Sequence, residues 1–168
     1  MSALEEWNLL GIEDATQPIL ACCGSQAFAA AMVNARPFAN WFALLEKADT
    51  IWWSLTEDDW LQAFRCHPRI GESPAAASSH QFSAWSKQEQ SEARAAAAPV
   101  LASIRDKNQE YEARHGFRYI VCASGRSGGE LLGILERRID NPTAVEIKEA
   151  AEQQRQITHL RLRKWLAS

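Results

Sequence analysis

Three polar side chains in this 168-residue chain sit where packing alone gives no reason for them. The first is His67, within Arg65-Cys66-His67-Pro68-Arg69-Ile70-Gly71. Proline disfavours helical geometry in the residue ahead of it, so a helix is expected to stop at or near His67. The preceding residues supply that helix. Thr56 can cap its start, Glu57, Asp58 and Asp59 suit the positive end of its dipole, and Trp60, Leu61 and Phe64 form an apolar face. His67 then lies at the C-terminal end, where partial negative charge favours the imidazolium. Gly71 lets the chain turn away. The outcome is a proton donor or acceptor on a rigid support. A helix stop with a hydrogen-bonded histidine also fits, and in isolation it is the more economical reading.

Arg161 is the second. Ile147, Ala151, Ile157 and Trp165 recur at helical spacing, and Arg161 lies four residues after Ile157 and four before Trp165. It therefore falls on an apolar helix face. A buried guanidinium requires an anionic or multiply hydrogen-bonded partner. A protein carboxylate would serve, and so would a ligand carboxylate held in the planar fork of the arginine. The sequence leaves both open. Glu89 is the third. Ser86-Lys87-Gln88-Glu89 has the pattern of a capping box, which is a structural role. A helix start facing a pocket would also offer backbone N–H groups to polar ligand atoms, with Glu89 accepting a hydrogen bond. His80 and His115 read as surface or capping residues, and His159 gives no signal of its own. Gly125-Arg126-Ser127-Gly128-Gly129 lacks the lysine and spacing of a phosphate loop and reads as a capping turn.

The elements that must position these groups are helical nearly throughout. A helix is expected from Ile12 to Cys23 with Pro18 kinking it, and Gly24 and Ser25 separate it from the next. That one carries Ala27, Phe28, Ala31 and Met32 and stops before Pro37. Phe38, Trp41, Phe42 and Leu45 mark a third amphipathic helix, ahead of the Thr56 helix. Ser73 to Ser83, rich in Ala and Ser, reads as a loop or a loosely helical lid. A helix follows from Ser86 to about Ala97, and another opens at Pro99 and ends at Gly116. Phe117 to Ala123 is the one β-like run. A single such run cannot make a sheet, so a buried extended segment among helices is expected. Ser127-Gly128-Gly129-Glu130 and Thr143-Ala144-Val145-Glu146 are further capping-box patterns. The final helix reaches from Ala144 to about Ala167.

Composition fits one all-α domain. Hydrophobic residues make up 46% and charged residues 23%, ordinary for a globular protein of this length. A net charge of -3 argues against nucleic acid as a partner, because phosphate contacts need a basic surface. No apolar run approaches the roughly 20 residues of a membrane span. The first residues carry no leader pattern of basic then apolar residues. Cys22, Cys23, Cys66 and Cys122 form no C-x-x-C pair and have no metal-ligand spacing, so free thiols in a reducing cytoplasm are expected.

Taken in order, several short motifs resemble one family. They are Cys22-Cys23-Gly24-Ser25, Arg36-Pro37-Phe38, His67 to Gly71, Trp85-Ser86 through Glu89-Gln90, and Asn108-x-x-Tyr111 through Gly116-Phe117. Tyr119 to Ala123, Leu135-Glu136-x-Arg138, Asn141 and Ile157-x-x-Leu160-Arg161-Leu162 complete the set. The chain resembles the OHCU decarboxylases, which act on 2-oxo-4-hydroxy-4-carboxy-5-ureidoimidazoline. Phe28 and His115 depart from that pattern, each keeping a ring. The resemblance covers nearly everything after about Cys22. It implies a compact all-helical domain, commonly a homodimer, with no metal or organic cofactor. It also implies a catalytic histidine at His67, with Glu89 and Arg161 lining the site. Pro68, then Ser86, Lys87, Gln88, Glu89 and Gln90, then Tyr119, Ile120, Val121, Cys122 and Ala123 would contact the ligand. The implied reaction is the last step from urate to (S)-allantoin. A non-catalytic helical module binding a small anion or a partner helix would explain the helices and caps equally well. It gives no reason for His67 and Arg161 to serve one pocket. A metal-dependent hydrolase is a further rival, which metal analysis would expose.

Overall fold

The computed structural model describes residues 1–70 and 80–168 and, at His80 and Phe82, the backbone. The expected turn at Gly71 and residues 73–79 of the Ala/Ser-rich stretch lie outside the described residues. The described chain is all-α, as expected, and no strand occurs among those residues. It divides into two compact units, residues 1–63 with 155–168, and residues 64–154. No described helix is long and apolar enough to cross a membrane.

The first unit opens with α1 (Ala3–Leu9), a helix the sequence reading passed over, capped by a reciprocal Ser2–Glu5 box. Then come α2 (Ile12–Cys22), which carries Pro18 inside it, and α3 (Gln26–Asn34), capped by Ser25 as expected. Buried side chains tie these helices together. The Trp7 indole N–H donates to the Ala15 carbonyl at 2.8 Å, and Arg36 donates to the Trp7 and Leu10 carbonyls at the end of α1. Those two carbonyls are the kind a helix end leaves unpaired, so the arginine acts as a C-cap in trans. The next helix, α4 (Trp41–Ser54), starts later than expected. Asn40 caps it, and Leu44, Leu45, Ala48, Ile51 and Trp52 are its buried residues. Trp41 and Phe42, expected on the apolar face, are exposed and stack on one another instead. α5 (Glu57–Arg65) follows its predicted course, with Thr56 and Asp59 capping reciprocally.

The second unit holds α6 (His80–Glu89), α7 (Ser91–Arg94), α8 (Ala98–His115) and α9 (Gly128–Ile139). The long α10 (Thr143–Leu166) begins in this unit and ends among the residues of the first. α8 has Pro99 in its first turn and stops at Gly116, whose φ of 79° suits a residue without Cβ. Gly128 is needed for space, because a Cβ there would lie 2.5 Å from that of Ala96. Tyr119, Val121 and Ala123 alternate into a cluster with Ala93, Tyr111, Leu131, Leu135 and Ile139. The extended segment is therefore buried between helices, as its composition suggested.

Two capping-box expectations fail. Ser86 is not an N-cap. It lies inside α6, which begins six residues earlier and ends at Glu89. Ser86 and Glu89 are both buried, so their i, i+3 spacing puts two polar groups on one buried face rather than at a helix start. Glu89 consequently sits at a helix C-terminus, and the expected N–H groups are not presented there. Glu146 likewise turns inward from α10 to an arginine, and the Thr143 hydroxyl meets His115 Nδ1 at 2.8 Å. A buried guanidinium outbids a solvent-facing cap for the carboxylate.

Candidate active site

His67 stands two residues beyond α5, in the turn that the following proline imposes. Its backbone N–H donates to the Phe64 carbonyl at 3.2 Å. The imidazole is buried at 8% exposure, and its Nε2 lies 2.6 Å from Oε1 of Gln154 on α10. An amide oxygen only accepts, so this nitrogen carries the ring proton in the neutral histidine. Arg118 donates to the Arg65 and His67 carbonyls, binding the turn to the start of the extended segment.

The segment from Tyr119 to Ala123 is pinned by side chains along its backbone. Arg138 Nη1 donates to the Ile120 carbonyl at 2.6 Å. The Cys122 N–H donates to Gln153 Oε1 at 2.9 Å, and Arg126 Nε donates to the Cys122 carbonyl at 3.2 Å. Gln153 and Gln154 are neighbours on α10, one holding the segment and the other holding His67. Thus the structure brings His67 and the 119–123 segment to one stretch of one helix.

Arg138 also faces Glu146. Its Nε and Nη2 both lie against Oε1 of that carboxylate, which further accepts from the Tyr111 hydroxyl at 2.6 Å. Asn141 donates to the other oxygen at 3.1 Å. Burial lowers the Arg138 pKa, but the bonded Glu146 carboxylate together with the Tyr111 and Tyr119 phenols outweighs that effect and holds the pKa above its ordinary value. Burial pushes the phenols of Tyr111 and Tyr119 well above the usual range, with Arg138 opposing and Glu146 reinforcing. These are the only two tyrosines of the chain. The folded values lie above the unfolded ones, so stability present below about pH 10 is lost as pH rises past it. In an alkaline titration followed by ultraviolet absorbance, no phenolate should appear near pH 10 in the native protein. Both tyrosines should ionise together with unfolding. Ordinary two-site titration in a folded protein would contradict the buried network.

The remaining expected residues divide by location. Glu89, Ser86 and Gln90 are buried at the end of α6, while Lys87 and Gln88 are exposed. Ala93, four residues past Glu89, packs in the same cluster as Tyr119. Arg161 belongs to the first unit and is fully buried, as its register required. His115 is structural, with Nδ1 on Thr143 and Nε2 on the Ile139 carbonyl. His159 pairs with Asp49 at 2.6 Å, and Arg155, expected on a solvated face, reaches the same carboxylate oxygen at 3.3 Å. Ser127 caps α9, so the glycine-rich turn is the capping turn it resembled. None of the four cysteines is joined in a disulfide. No group of three or more His, Cys, Asp and Glu suited to a metal occurs among the described residues.

Sequence reasoning missed Arg138, Gln153 and Gln154. For Gln154 a signal existed. Ile147, Ala151, Gln154, Thr158 and Arg161 repeat at spacings of four and three, so the register that exposed Arg161 also lands on this glutamine.

The OHCU decarboxylase family model matches residues 8–163. The uric acid degradation bifunctional protein TTL of Arabidopsis thaliana is 39% identical over 145 residues. That alignment covers 85% of this chain and 44% of the plant protein, so the chain spans less than half of that relative's length. The 2-oxo-4-hydroxy-4-carboxy-5-ureidoimidazoline decarboxylase of Amia calva is 29% identical over 134 residues, covering 80% of this chain and 77% of that protein. A crystal structure of OHCU decarboxylase in the presence of (S)-allantoin superposes with a TM-score of 0.77 at 36% identity, covering 89% of this chain and 96% of that one. The (S)-allantoin synthase crystal structure shares the fold, with a TM-score of 0.72 at 16% identity over 97% of this chain and 54% of that one. The matches fall on one class of protein, helical carboxy-lyases of uric acid degradation. The chain belongs to the OHCU decarboxylase family.

Proposed function

We propose that the chain decarboxylates 2-oxo-4-hydroxy-4-carboxy-5-ureidoimidazoline to (S)-allantoin, closing the route from urate. The observation carrying this reading is the 36% identity and near-complete coverage of an OHCU decarboxylase structure determined with (S)-allantoin. The family match spans both compact units, which supports treating residues 1–168 as one functional domain.

The substrate supplies its own electron sink. Cleaving the carbon–carboxylate bond sends the electron pair into the neighbouring ring C=N, whose nitrogen takes up a proton, and releases CO₂. The resulting enol loses its hydroxyl proton to become a carbonyl, while the ureido-bearing carbon gains a proton. One proton is consumed overall. The protein's tasks are orientation and proton delivery. In this reading His67 moves the protons, and delivery to one face sets the stereocentre. Glu89 fixes the ring or ureido N–H groups, and Arg161 holds the anionic group or a carbonyl oxygen. Pro68, the Ser86 to Gln90 turn and the Tyr119 to Ala123 backbone shape the pocket. The reaction needs no added cofactor, and the enzyme works as a cytoplasmic homodimer.

The test generates the unstable substrate in situ and follows its decay with chiral detection of allantoin. The wild type should accelerate decay and yield the S product. Arg161→Met should raise KM, lower kcat, or both. An inert wild type that still binds the anion would favour a binding module instead.

A further inference from the structure

We infer that a cavity between the turn after His67 and one face of α8 binds a small aliphatic carboxylate. None of His67, Glu89 and Arg161 lines this space, so the site stands apart from the decarboxylase reading. The cavity has a volume of about 240 Å³, and its lining belongs wholly to the second unit. Arg69 and Ile70 contribute from the turn, and Leu101, Arg105, Asn108 and Glu112 contribute from α8.

Asn108 is the residue that calls for an occupant. It recurs with Ile104, Tyr111 and His115 on the buried face of α8, so a polar amide fills a position set by packing. The side chain is 4% exposed, and its Nδ2 has no hydrogen-bond partner among the described residues. A buried donor without an acceptor is destabilising, and a ligand oxygen would supply the acceptor. The χ2 torsion of asparagine is soft, so a small rotation presents the amide to the cavity. The charges around it select an anion. Arg69 Nε donates to both oxygens of Glu112, at 3.1 and 3.0 Å, so those two charges largely cancel. Arg105 remains, without an ion pair among the described residues. With two arginines and one glutamate, the lining carries one net positive charge, which matches a monoanion. A planar carboxylate fits the guanidinium fork of Arg105 and leaves an oxygen for the Asn108 N–H. A phosphate dianion would bring excess negative charge against Glu112. Ile70 and Leu101 offer apolar surface on which a short hydrocarbon arm is buried.

The experiment titrates butyrate, its neutral isostere butyramide, and inorganic phosphate into the full chain at constant ionic strength. Binding is followed by ¹H–¹⁵N NMR of the asparagine amide and arginine Nε groups, with Asn108→Leu and Arg105→Ala assigning the two signals. Butyrate should shift both signals saturably at millimolar concentrations, while butyramide and phosphate should give no saturable shift. Arg105→Ala should weaken butyrate binding at least ~10-fold, the loss expected of a charge-assisted contact. Asn108→Leu removes an unpaired amide at similar volume. Without ligand it should melt at or above the wild-type temperature, and it should lose the butyrate response at Arg105. Absence of a saturable butyrate shift would overturn the inference, as would butyramide or phosphate binding as tightly as butyrate. Unchanged butyrate affinity in Arg105→Ala would do the same. So would a lower melting temperature for Asn108→Leu, which would make the amide a structural anchor.

Discussion

Replacing His67 with alanine should lower kcat/KM for the decarboxylation by roughly 10²–10⁴-fold, the range a positioned general acid–base group contributes. In free energy that is about 2.7–5.4 kcal/mol of transition-state stabilisation. Two features set the size of the effect. The imidazole is buried, so water cannot readily substitute for it as a directed proton carrier. Its turn is also fixed twice, by Pro68 from the sequence and by Arg118 bonding the His67 carbonyl. The loss should fall mainly on kcat, because orientation of the carboxylate is assigned to other groups. Chiral analysis should show residual product drifting towards the racemate, since uncatalysed protonation has no preferred face. A thermal melt must accompany the assay, because the substitution removes the buried hydrogen bond between His67 and Gln154. A folded variant with near-wild-type acceleration would remove His67 from the chemistry.

Arg138→Met should be the most damaging substitution for stability, costing about 3–5 kcal/mol. The cost comes from what is left behind. Glu146 has no exposure at all, and losing its guanidinium leaves a buried carboxylate with only Tyr111 and Asn141 as donors. The Ile120 carbonyl loses its partner as well, and Tyr119 loses a cation 4.9 Å from its ring centroid. Urea unfolding at neutral pH measures this. The double variant Arg138→Met, Glu146→Gln should recover much of the loss, because removing both charges also removes the stranded one. If the double variant is no more stable than the single, the ion pair is not the source of the effect.

The helical punctuation was legible because its causes are local. Ser25, Thr56, Pro99 and Gly116 act on residues within a turn of themselves, and each acts in the structure as its neighbours implied. The extended segment was legible for the same reason. What stayed hidden depends on distant partners. Gln154 is 87 residues from His67, and its register on α10 marks it as inward-facing without naming the imidazole it meets. The errors have one physical origin. A serine or threonine three residues before a glutamate fits a capped helix start, but it equally fits two polar groups on the inward face of a helix. At Ser86 the second situation holds, both it and Glu89 being buried, and at Thr143 the hydroxyl meets His115 while Glu146 turns inward to Arg138. The family motifs supplied the site assignments that the chemistry of single residues left open.

The double duty of Arg138 constrains how such a protein can diverge. One guanidinium answers both to the acid behind it and to the peptide oxygen of Ile120 in front. Sliding that peptide to suit a differently shaped ligand would unbalance charge in the interior. New preferences should therefore arise by exchanging side chains around a frozen main chain. Directed-evolution libraries should spare Arg138 and Glu146 and vary the residues that flank them.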